Sequence, residues 1–398
     1  MAVVICGLTA AAMGTPPHQG RYATIDGLRG YLAFFVFLHH ACIWYFYLRS
    51  GNWVEAPSYL YTELGESSVV LFFMITGFLF FSKLLEGRTQ EIDWGKLYIS
   101  RVLRLGPLYL FVVFLVFIIV AYMSHSTLRE PLWKLAKEVL HWLGFTLLGA
   151  PDLNHIKNTR YIVAEVTWTL QYEWVFYCSL PVLGLAIGVR RAPNPGYVAL
   201  GVLALLGLAM LHLEFYRLLS FVGGIAAAIA VRYAPFRKLA SRRVSSFIAL
   251  GSFASVILLY PSAYGAIPIV LLSLAFILIA CGNDVFGLLV SPASRTLGEM
   301  AYGIYLMHGL VLFVAFNFVV GLDRSRSLTP MAHWMLVLGL TPILLVISYT
   351  THRFIERPAM RSTGVLTAWI RDHGKNLGAE RSGRLVRAKI AQAVNSDH

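Results

Sequence analysis

About ten apolar runs recur along the chain, each near the length that an α-helix needs to cross a bilayer. The runs are about 15–26 residues long and begin near residues 30, 65, 105, 163, 196, 215, 245, 264, 299 and 333. Backbone polar groups find no water in hydrocarbon, so runs of this length are satisfied as helices. We therefore expect an all-α fold, a polytopic membrane bundle of about ten transmembrane helices.

The composition excludes several other classes of protein. Hydrophobic residues make up 58% of the chain and charged residues 13%, with a mean hydropathy of +0.67. Soluble globular domains carry about twice that share of charge. A soluble enzyme, a disordered chain and a disulfide scaffold are therefore excluded. The four cysteines lie singly in apolar stretches, so we interpret them as small buried hydrophobic residues and expect neither a disulfide nor a metal site.

The net charge of +13 is better interpreted as an orientation signal than as a nucleic-acid footprint. Most of the 33 lysine and arginine residues fall in alternate loops between the apolar runs. Because basic loops stay on the cytoplasmic side, this pattern predicts that both termini are cytoplasmic. Nucleic acid is not an expected partner.

The polar segments that flank the apolar runs predict three parts of the chain. Residues 1–24 form an N-terminal leader, residues 25–358 the transmembrane domain, and residues 359–398 a basic cytoplasmic tail. The tail forms either a basic amphipathic helix on the inner leaflet or a frayed polar end. The run from Val139 to Ala150 is too short to span a bilayer, which favours an interfacial or re-entrant segment.

An ionisable side chain inside a membrane span is costly, so it marks a functional site by default. Arg29 and His40 are eleven residues apart, about three helical turns, and share one helix face, whereas His39 points about 100° away. A neutral imidazole at that depth suits a general base that serves an anionic donor. The alternative is a packed histidine that hydrogen-bonds a neighbouring helix.

Glu173 is a carboxylate inside another apolar run. A buried carboxylate needs a cationic or hydrogen-bonding partner, and His40 is the expected one. A carboxylate that orients and charges an imidazole is common in acyl-transfer bases. The alternative is a structural ion pair between Glu173 and an arginine of another helix.

Two further patterns lie on single helix faces. Arg101 and Arg104, three residues apart, form a fork that suits phosphate groups. The alternative is that they are ordinary basic residues of a cytoplasmic loop. Tyr302, Tyr305 and His308 form a polar stripe in an otherwise apolar helix. No phosphate-binding nucleotide loop occurs, so nothing in the sequence would drive transport with ATP.

Six segments, in order along the chain, resemble the acyltransferase-3 family of integral membrane acyltransferases. They are Asp26–Gly30 with Arg29 eleven residues before His40, Phe72–Leu79 with Thr76 where the family usually has serine, Arg101-x-x-Arg104, Trp168–Tyr177 around Glu173, Leu297–His308, and Phe354–Pro358. Together they cover nearly the whole hydrophobic region.

This resemblance implies transfer of an acyl group, usually acetyl, from cytoplasmic acyl-CoA. The implied acceptor is a sugar hydroxyl of a cell-envelope or secreted glycan, such as lipopolysaccharide O-antigen or exopolysaccharide. The expected partners are therefore acetyl-CoA or another acyl-CoA as cosubstrate, a glycan or lipid-linked sugar acceptor, and the lipid bilayer, with no metal. The expected location is the bacterial inner membrane.

The residue patterns and the resemblance together suggest a division of roles. Arg29, Arg101 and Arg104 would bind the phosphates of the donor. His40, oriented or charged by Glu173, would be catalytic, either by deprotonating the acceptor hydroxyl or by first accepting the acetyl group.

The remaining predicted site residues belong to the acceptor. Trp168, Tyr305 and His308 would line its route, and Tyr305 or His308 could donate to the developing oxyanion. Two rival functions use the same residues differently. In a transporter for an anionic small molecule the arginines would select the cargo, and in a non-catalytic envelope assembly or sensor protein the histidine would be dispensable.

Overall fold

A computed structural model describes residues 22–210 and 213–373, together with Gly7. Within these ranges every regular element is helical, apart from one isolated bridge between Leu153 and Ile156. The all-α prediction is therefore confirmed. Among the described cysteines, Cys42 and Cys281 are buried, Cys178 is half-buried, and all three are free thiols.

The helices follow one another with short connections. In chain order they are α1 (Ala23–Ser50), α2 (Tyr59–Glu86), α3 (Trp94–Met123), α4 (Leu132–Leu143), α5 (Thr169–Ala186), α6 (Pro195–Met210), α7 (Phe215–Ala230), α8 (Ala234–Ala240), α9 (Arg243–Leu259), α10 (Ala266–Ala280), α11 (Pro292–Glu299), α12 (Ala301–Val314), α13 (Leu322–Ser327), α14 (Pro330–Thr351) and α15 (Arg357–Arg361). Two 3₁₀ turns, Thr159–Val163 and Val166–Trp168, precede α5, and π-helical segments, Ala315–Val319 and His352–Glu356, follow α12 and α14. Each predicted apolar run corresponds to one of these helices.

The predicted count of ten membrane spans is not confirmed. Among the described residues, five helices are long and apolar enough to cross a bilayer, namely α1, α2, α3, α12 with its π segment, and α14 with its continuation to His373. A sixth is added if α7 and α8, which meet at an angle of 111°, are one broken span. The helices α6, α9 and α10 are apolar but shorter than 18 residues.

Local sequence signals set the starts of several helices. The Asp93 side chain accepts a hydrogen bond from the backbone N–H of Lys96 (3.0 Å) and caps α3. Ser291 and Thr329 cap α11 and α14 in the same way, each followed by a proline whose missing N–H costs nothing in the first turn. These caps place the polar loops at the ends of the bundle.

Glycines allow α1 to contact α11 and the turn before it, backbone to backbone. A Cβ atom on Gly27 would lie 1.9 Å from the carbonyl oxygen of Leu289, and one on Gly298 would lie 2.0 Å from that of Asp26. No side chain fits in either place, which explains the glycines of the Asp26–Gly30 segment. A Cβ atom on Gly30 would likewise lie 2.7 Å from the backbone of Leu297 and Gly298, so Arg29 lies between two close contacts, at Gly27 and Gly30, and the packing fixes its position.

The central helix of the bundle is α2, and it packs closely on α7. A Cβ atom on Gly77 would lie 2.5 Å from the carbonyl oxygen of Phe221, and one on Gly224 would lie 2.0 Å from that of Met74. Small residues at such positions let two membrane helices approach without a gap. Close helix approach therefore accounts for Gly77.

Basic loops share one end of the bundle, as the charge distribution predicts. The backbone N–H of Arg190, after α5, donates to the loop after α2 at 2.9 Å, and Arg191 pairs with Glu91 in that loop at 3.0 Å. Arg371 pairs with Asp93 at the start of α3. We call this the basic end.

The two predicted terminal segments are only partly described. The leader, residues 1–24, lies outside the described residues except for Gly7 and residues 22–24. Of the tail, residues 363–373 are helical, and the part after His373 lies outside the described residues. The Val139–Ala150 segment completes α4 and then turns, with the buried Trp142 accepting at its carbonyl oxygen from the Tyr109 hydroxyl at 2.6 Å. That contact packs the segment against α3.

Candidate active site

A cavity of about 510 Å³ opens near the basic end, and we call it the arginine cavity. Parts of α1, α2, α3, α5, α11 and α12 form its walls, together with the π segment after α14 and with α15. Its polar and charged lining residues are Asp26, Arg29, Thr76, Arg101, Arg104, Thr169, Glu173, Tyr177, Arg295, Glu299, Tyr302, Tyr305, His352 and Arg357. The three arginines predicted to bind phosphates, from two different helices, are thus brought into one site.

Two of these arginines are held in place by neighbouring side chains. The Arg104 guanidinium lies 3.3 Å from the Glu356 carboxylate, whose side chain is fully buried, and 5.8 Å from the centre of the Tyr302 ring. The Arg101 guanidinium lies 5.0 Å from the centre of the Phe80 ring. Fixed guanidinium groups lose little conformational entropy when they bind an anion, so the arginine cavity is preorganised for an anionic ligand.

The expected pairing of His40 with Glu173 is wrong. Glu173 lines the arginine cavity, where its carboxylate accepts a hydrogen bond from the Tyr177 hydroxyl at 2.9 Å and lies within electrostatic reach of the arginines. The alternative, association with arginines of other helices, describes its surroundings. The reason is the position of α5, which begins in the middle of the bundle, four residues before Glu173. The Glu173 carboxylate therefore points toward the basic end, whereas His40 lies on the other side of the bundle centre.

A second cavity, of about 800 Å³, lies on the other side of the bundle centre, and we call it the histidine cavity. Its volume is within the usual range for small-molecule sites. Its polar and aromatic lining residues are His39, His40, Trp53, Glu55, Glu66, Thr146, Arg160, Glu165, Thr167, Trp168, Gln171, Arg217, Tyr264 and Tyr305. The predicted residues His40, Trp168 and Tyr305 therefore lie around one space.

The actual partner of His40 is His308 on α12. The His308 Nε2 atom lies 3.2 Å from His40 Nδ1, and each ring also places Nδ1 near a backbone carbonyl oxygen of its own helix, Val36 at 3.0 Å and Ile304 at 3.1 Å. A carbonyl oxygen only accepts, so both Nδ1 atoms carry hydrogen when the rings are neutral. The single Nδ1 hydrogen of His40 is then shared between the Val36 carbonyl oxygen and His308 Nε2, and the lone pair of His40 is left on Nε2.

His39 points to a different side of α1 from His40, as the helical spacing predicts, and it meets α2 there. Its Nδ1 atom lies 2.8 Å from the carbonyl oxygen of Tyr61, and a Cβ atom on Gly65 would lie 2.4 Å from its ring. The residue still borders the histidine cavity. Its ring is nevertheless fixed by α2, whereas that of His40 is fixed by α12.

Tyr305 lies where the two cavities meet. It lines both of them, as does Val69. Its hydroxyl donates to the carbonyl oxygen of Val166 at 3.0 Å and lies 2.9 Å from the Thr169 hydroxyl. The phenol ring is therefore anchored to the turn that leads into α5, and it stands between the arginines and the histidine pair.

The turn before α5 is held under backbone strain beside the histidine pair. Ala164 and Glu165 have φ values of 50° and 58°, in the left-handed region that non-glycine residues avoid. Gly309 of α12 lets this turn approach, since a Cβ atom there would lie 2.4 Å from the carbonyl carbon of Val163. The turn and the helix that carries His308 are thus locked together.

Sequence reasoning missed several charged residues of the histidine cavity. The Arg217 guanidinium lies 4.3 Å from the Trp168 ring centre and 4.8 Å from that of Tyr264, and Arg160 pairs with Glu165 at 2.6 Å. Burial raises the pKa of Glu165, and the charge of Arg160 opposes that shift. Arg217 carried a usable signal, because it is a single cation at the start of an apolar run.

The fold and the two joined cavities define an integral membrane protein with a polar site inside its helical bundle. A family model described as an acyltransferase domain matches residues 22–353, most of the chain. The chain therefore belongs to the acyltransferase-3 family and is a membrane acyltransferase, as its motifs indicated. No curated protein and no solved structure matches it.

Proposed function

We propose that the enzyme transfers an acetyl or other short acyl group from acyl-CoA to a sugar hydroxyl of a cell-envelope or secreted glycan. One observation carries the proposal. A cavity that gathers Arg29, Arg101 and Arg104 meets, at Tyr305, a second cavity that contains His40. An anionic donor and a hydroxyl acceptor would thus reach one reaction centre from two sides.

The arginine cavity suits the phosphates of coenzyme A. Guanidinium groups bind phosphate oxygens in a fork, and an enclosed site strengthens that attraction. Arg29 precedes His40 by eleven residues on α1, a rise of about 16 Å along a helix. The extended phosphopantetheine arm is the part of the donor that would cover this distance and carry the thioester toward His40.

His40 acts as the general base. Its Nε2 lone pair takes the proton of the acceptor hydroxyl, the oxygen attacks the thioester carbonyl, and the carbon–sulfur bond breaks to release the CoA thiolate. The imidazolium then returns its proton to that thiolate. His308, accepting from His40 Nδ1–H, orients the ring and stabilises its positive charge, which is the role the sequence had suggested for Glu173.

The histidine cavity suits a sugar. Trp168 and Tyr264 offer aromatic surface, while Arg217, Glu165 and Arg160 offer hydrogen-bonding groups. We place the enzyme in the bacterial inner membrane with both termini cytoplasmic. Acyl-CoA then enters at the basic end, and the glycan enters from the opposite side.

The experiment uses the full chain in lipid nanodiscs with isotope-labelled acetyl-CoA and envelope glycans. The proposal expects labelled O-acetyl groups on the glycan and stoichiometric free CoA, and loss of the same O-acetyl NMR signals in cells that lack the gene. Movement of an anionic solute without any covalent product would instead support the transporter. A labelled product that is not a glycan would overturn the proposed acceptor.

A further inference from the structure

We infer that Tyr305 forms a septum between the donor and acceptor cavities and limits the length of the acyl chain that the enzyme transfers. The inference rests on the proposed function and adds a substrate selectivity to it. Its first support is position, since Tyr305 is one of the residues that line both cavities. A ring placed there borders the thioester carbonyl whenever that carbonyl reaches His40.

The second support is that the ring is held rather than free to swing. Its hydroxyl donates to the Val166 carbonyl oxygen, in the 3₁₀ turn before α5, and lies 2.9 Å from the hydroxyl of Thr169, the first residue of α5. Its edge meets the Phe72 ring, whose centre is 5.9 Å away, and the ring centre of His308 lies 6.2 Å away on the next turn. Neighbours on α2, at the turn into α5 and on α12 itself thus oppose displacement of the phenol by a longer acyl chain.

The third support is the chemistry of the surrounding wall. Val69 and Phe72 are apolar and share the arginine-cavity side with Tyr305, so an alkyl chain would be compatible with the wall if space were available. The space beside the Tyr305 ring, and not the polarity of the wall, therefore limits the length of the acyl chain. An acetyl methyl group is the smallest acyl tail, and every added methylene has to occupy space that the phenol ring now fills.

Two substitutions separate the ring from its anchor. Tyr305→Leu removes the ring and opens the septum, whereas Tyr305→Phe keeps the ring but removes both hydrogen bonds. The matched controls are Tyr109→Leu and Tyr109→Phe. Tyr109 is a fully buried tyrosine of α3 whose hydroxyl also donates to a backbone carbonyl, that of Trp142, but it lines neither cavity.

The readout is the ratio of kcat/KM for octanoyl-CoA to that for acetyl-CoA, measured on the full chain in nanodiscs with the same glycan. Discrimination by an apolar pocket runs at about tenfold or more per methylene, so we expect Tyr305→Leu to raise the ratio at least about tenfold. Tyr305→Phe should raise it in the same direction by a smaller factor, because the unanchored ring can move. The Tyr109 variants should leave the ratio unchanged.

An unchanged ratio in both Tyr305 variants, with acetyl transfer still measurable, would overturn the septum while the proposed function stands. If Tyr305→Leu does not fold, Tyr305→Phe decides alone, and a wild-type ratio there overturns the inference. A wild-type protein that transfers neither acyl group overturns the proposed function and the septum with it. A shift that also appears in the Tyr109 variants would show general loosening and would count against Tyr305.

Discussion

Gly309→Ala tests whether packing at α12 sets the geometry of the histidine pair. The added Cβ atom would lie 2.4 Å from the carbonyl carbon of Val163, whereas ordinary contact begins at 3.4 Å. The backbone must therefore separate by about 1 Å, since no flexible side chain can yield there. His308, the preceding residue, is 3.2 Å from His40, and a displacement of that size takes the pair beyond hydrogen-bonding distance.

The expected consequences are a modest loss of stability and a large loss of rate. Overpacking costs about 1–3 kcal/mol, and the better helix propensity of alanine returns about 1 kcal/mol of it. A misplacement of about 1 Å at a reacting group costs about 10²-fold in rate. The assay measures acetyl transfer per folded molecule in nanodiscs, together with the thermal unfolding midpoint.

The control is Gly339→Ala on the exposed side of α14, where no atom lies within 4 Å of the new Cβ. This variant should transfer acetyl at the wild-type rate, and its thermal unfolding midpoint should be no lower than that of the wild type. Wild-type transfer by folded Gly309→Ala would refute the claim that this contact sets the distance between His40 and His308.

Other variants probe the charged residues. Arg101→Gln should raise KM for acetyl-CoA about 10–100-fold in a steady-state assay, because a charged hydrogen bond contributes about 1.5–3 kcal/mol. Glu173→Gln should change the KM for acetyl-CoA while kcat stays within about tenfold of wild type, because the Glu173 carboxylate lies with the arginines. A large loss of kcat with an unchanged KM would instead support the predicted pairing of Glu173 with His40. Glu356→Gln should destabilise the protein by about 3–5 kcal/mol in thermal unfolding, because it leaves Arg104 partly buried without its counter-ion. The same change at Glu91, in an exposed ion pair, should cost no more than about 1 kcal/mol.

The sequence predicted the fold well because a bilayer permits few solutions. The positions of the helices and the grouping of basic loops at one end followed from hydrophobic length and charge placement, and the gathering of Arg29, Arg101 and Arg104 was implied by the family resemblance. The number of spans did not follow, because α6, α9 and α10 are shorter than 18 residues, α7 meets α8 at a sharp bend, and α5 is not among the helices long and apolar enough to cross a bilayer.

Contacts between helices could not be obtained in the same way. Helical periodicity gives the depth and face of a residue on its own helix, but it does not say which neighbour that face meets. The sequence predicts His40 and Glu173 as partners because both are ionisable residues within apolar runs. The two 3₁₀ turns before α5 set the level at which Glu173 lies. His308, which the sequence assigned to the acceptor route, is the partner of His40.

The central claim is that His40, with its free Nε2 atom, is the base of the reaction. His40→Asn keeps a side-chain N–H near the position of Nδ1 but removes the basic nitrogen, and His39→Asn makes the same change one residue away. Acetyl transfer should fall by at least about 10²-fold in His40→Asn and stay within about threefold of wild type in His39→Asn, with both proteins folded. Equal rates in the two variants, or an active His40→Asn, would contradict the account.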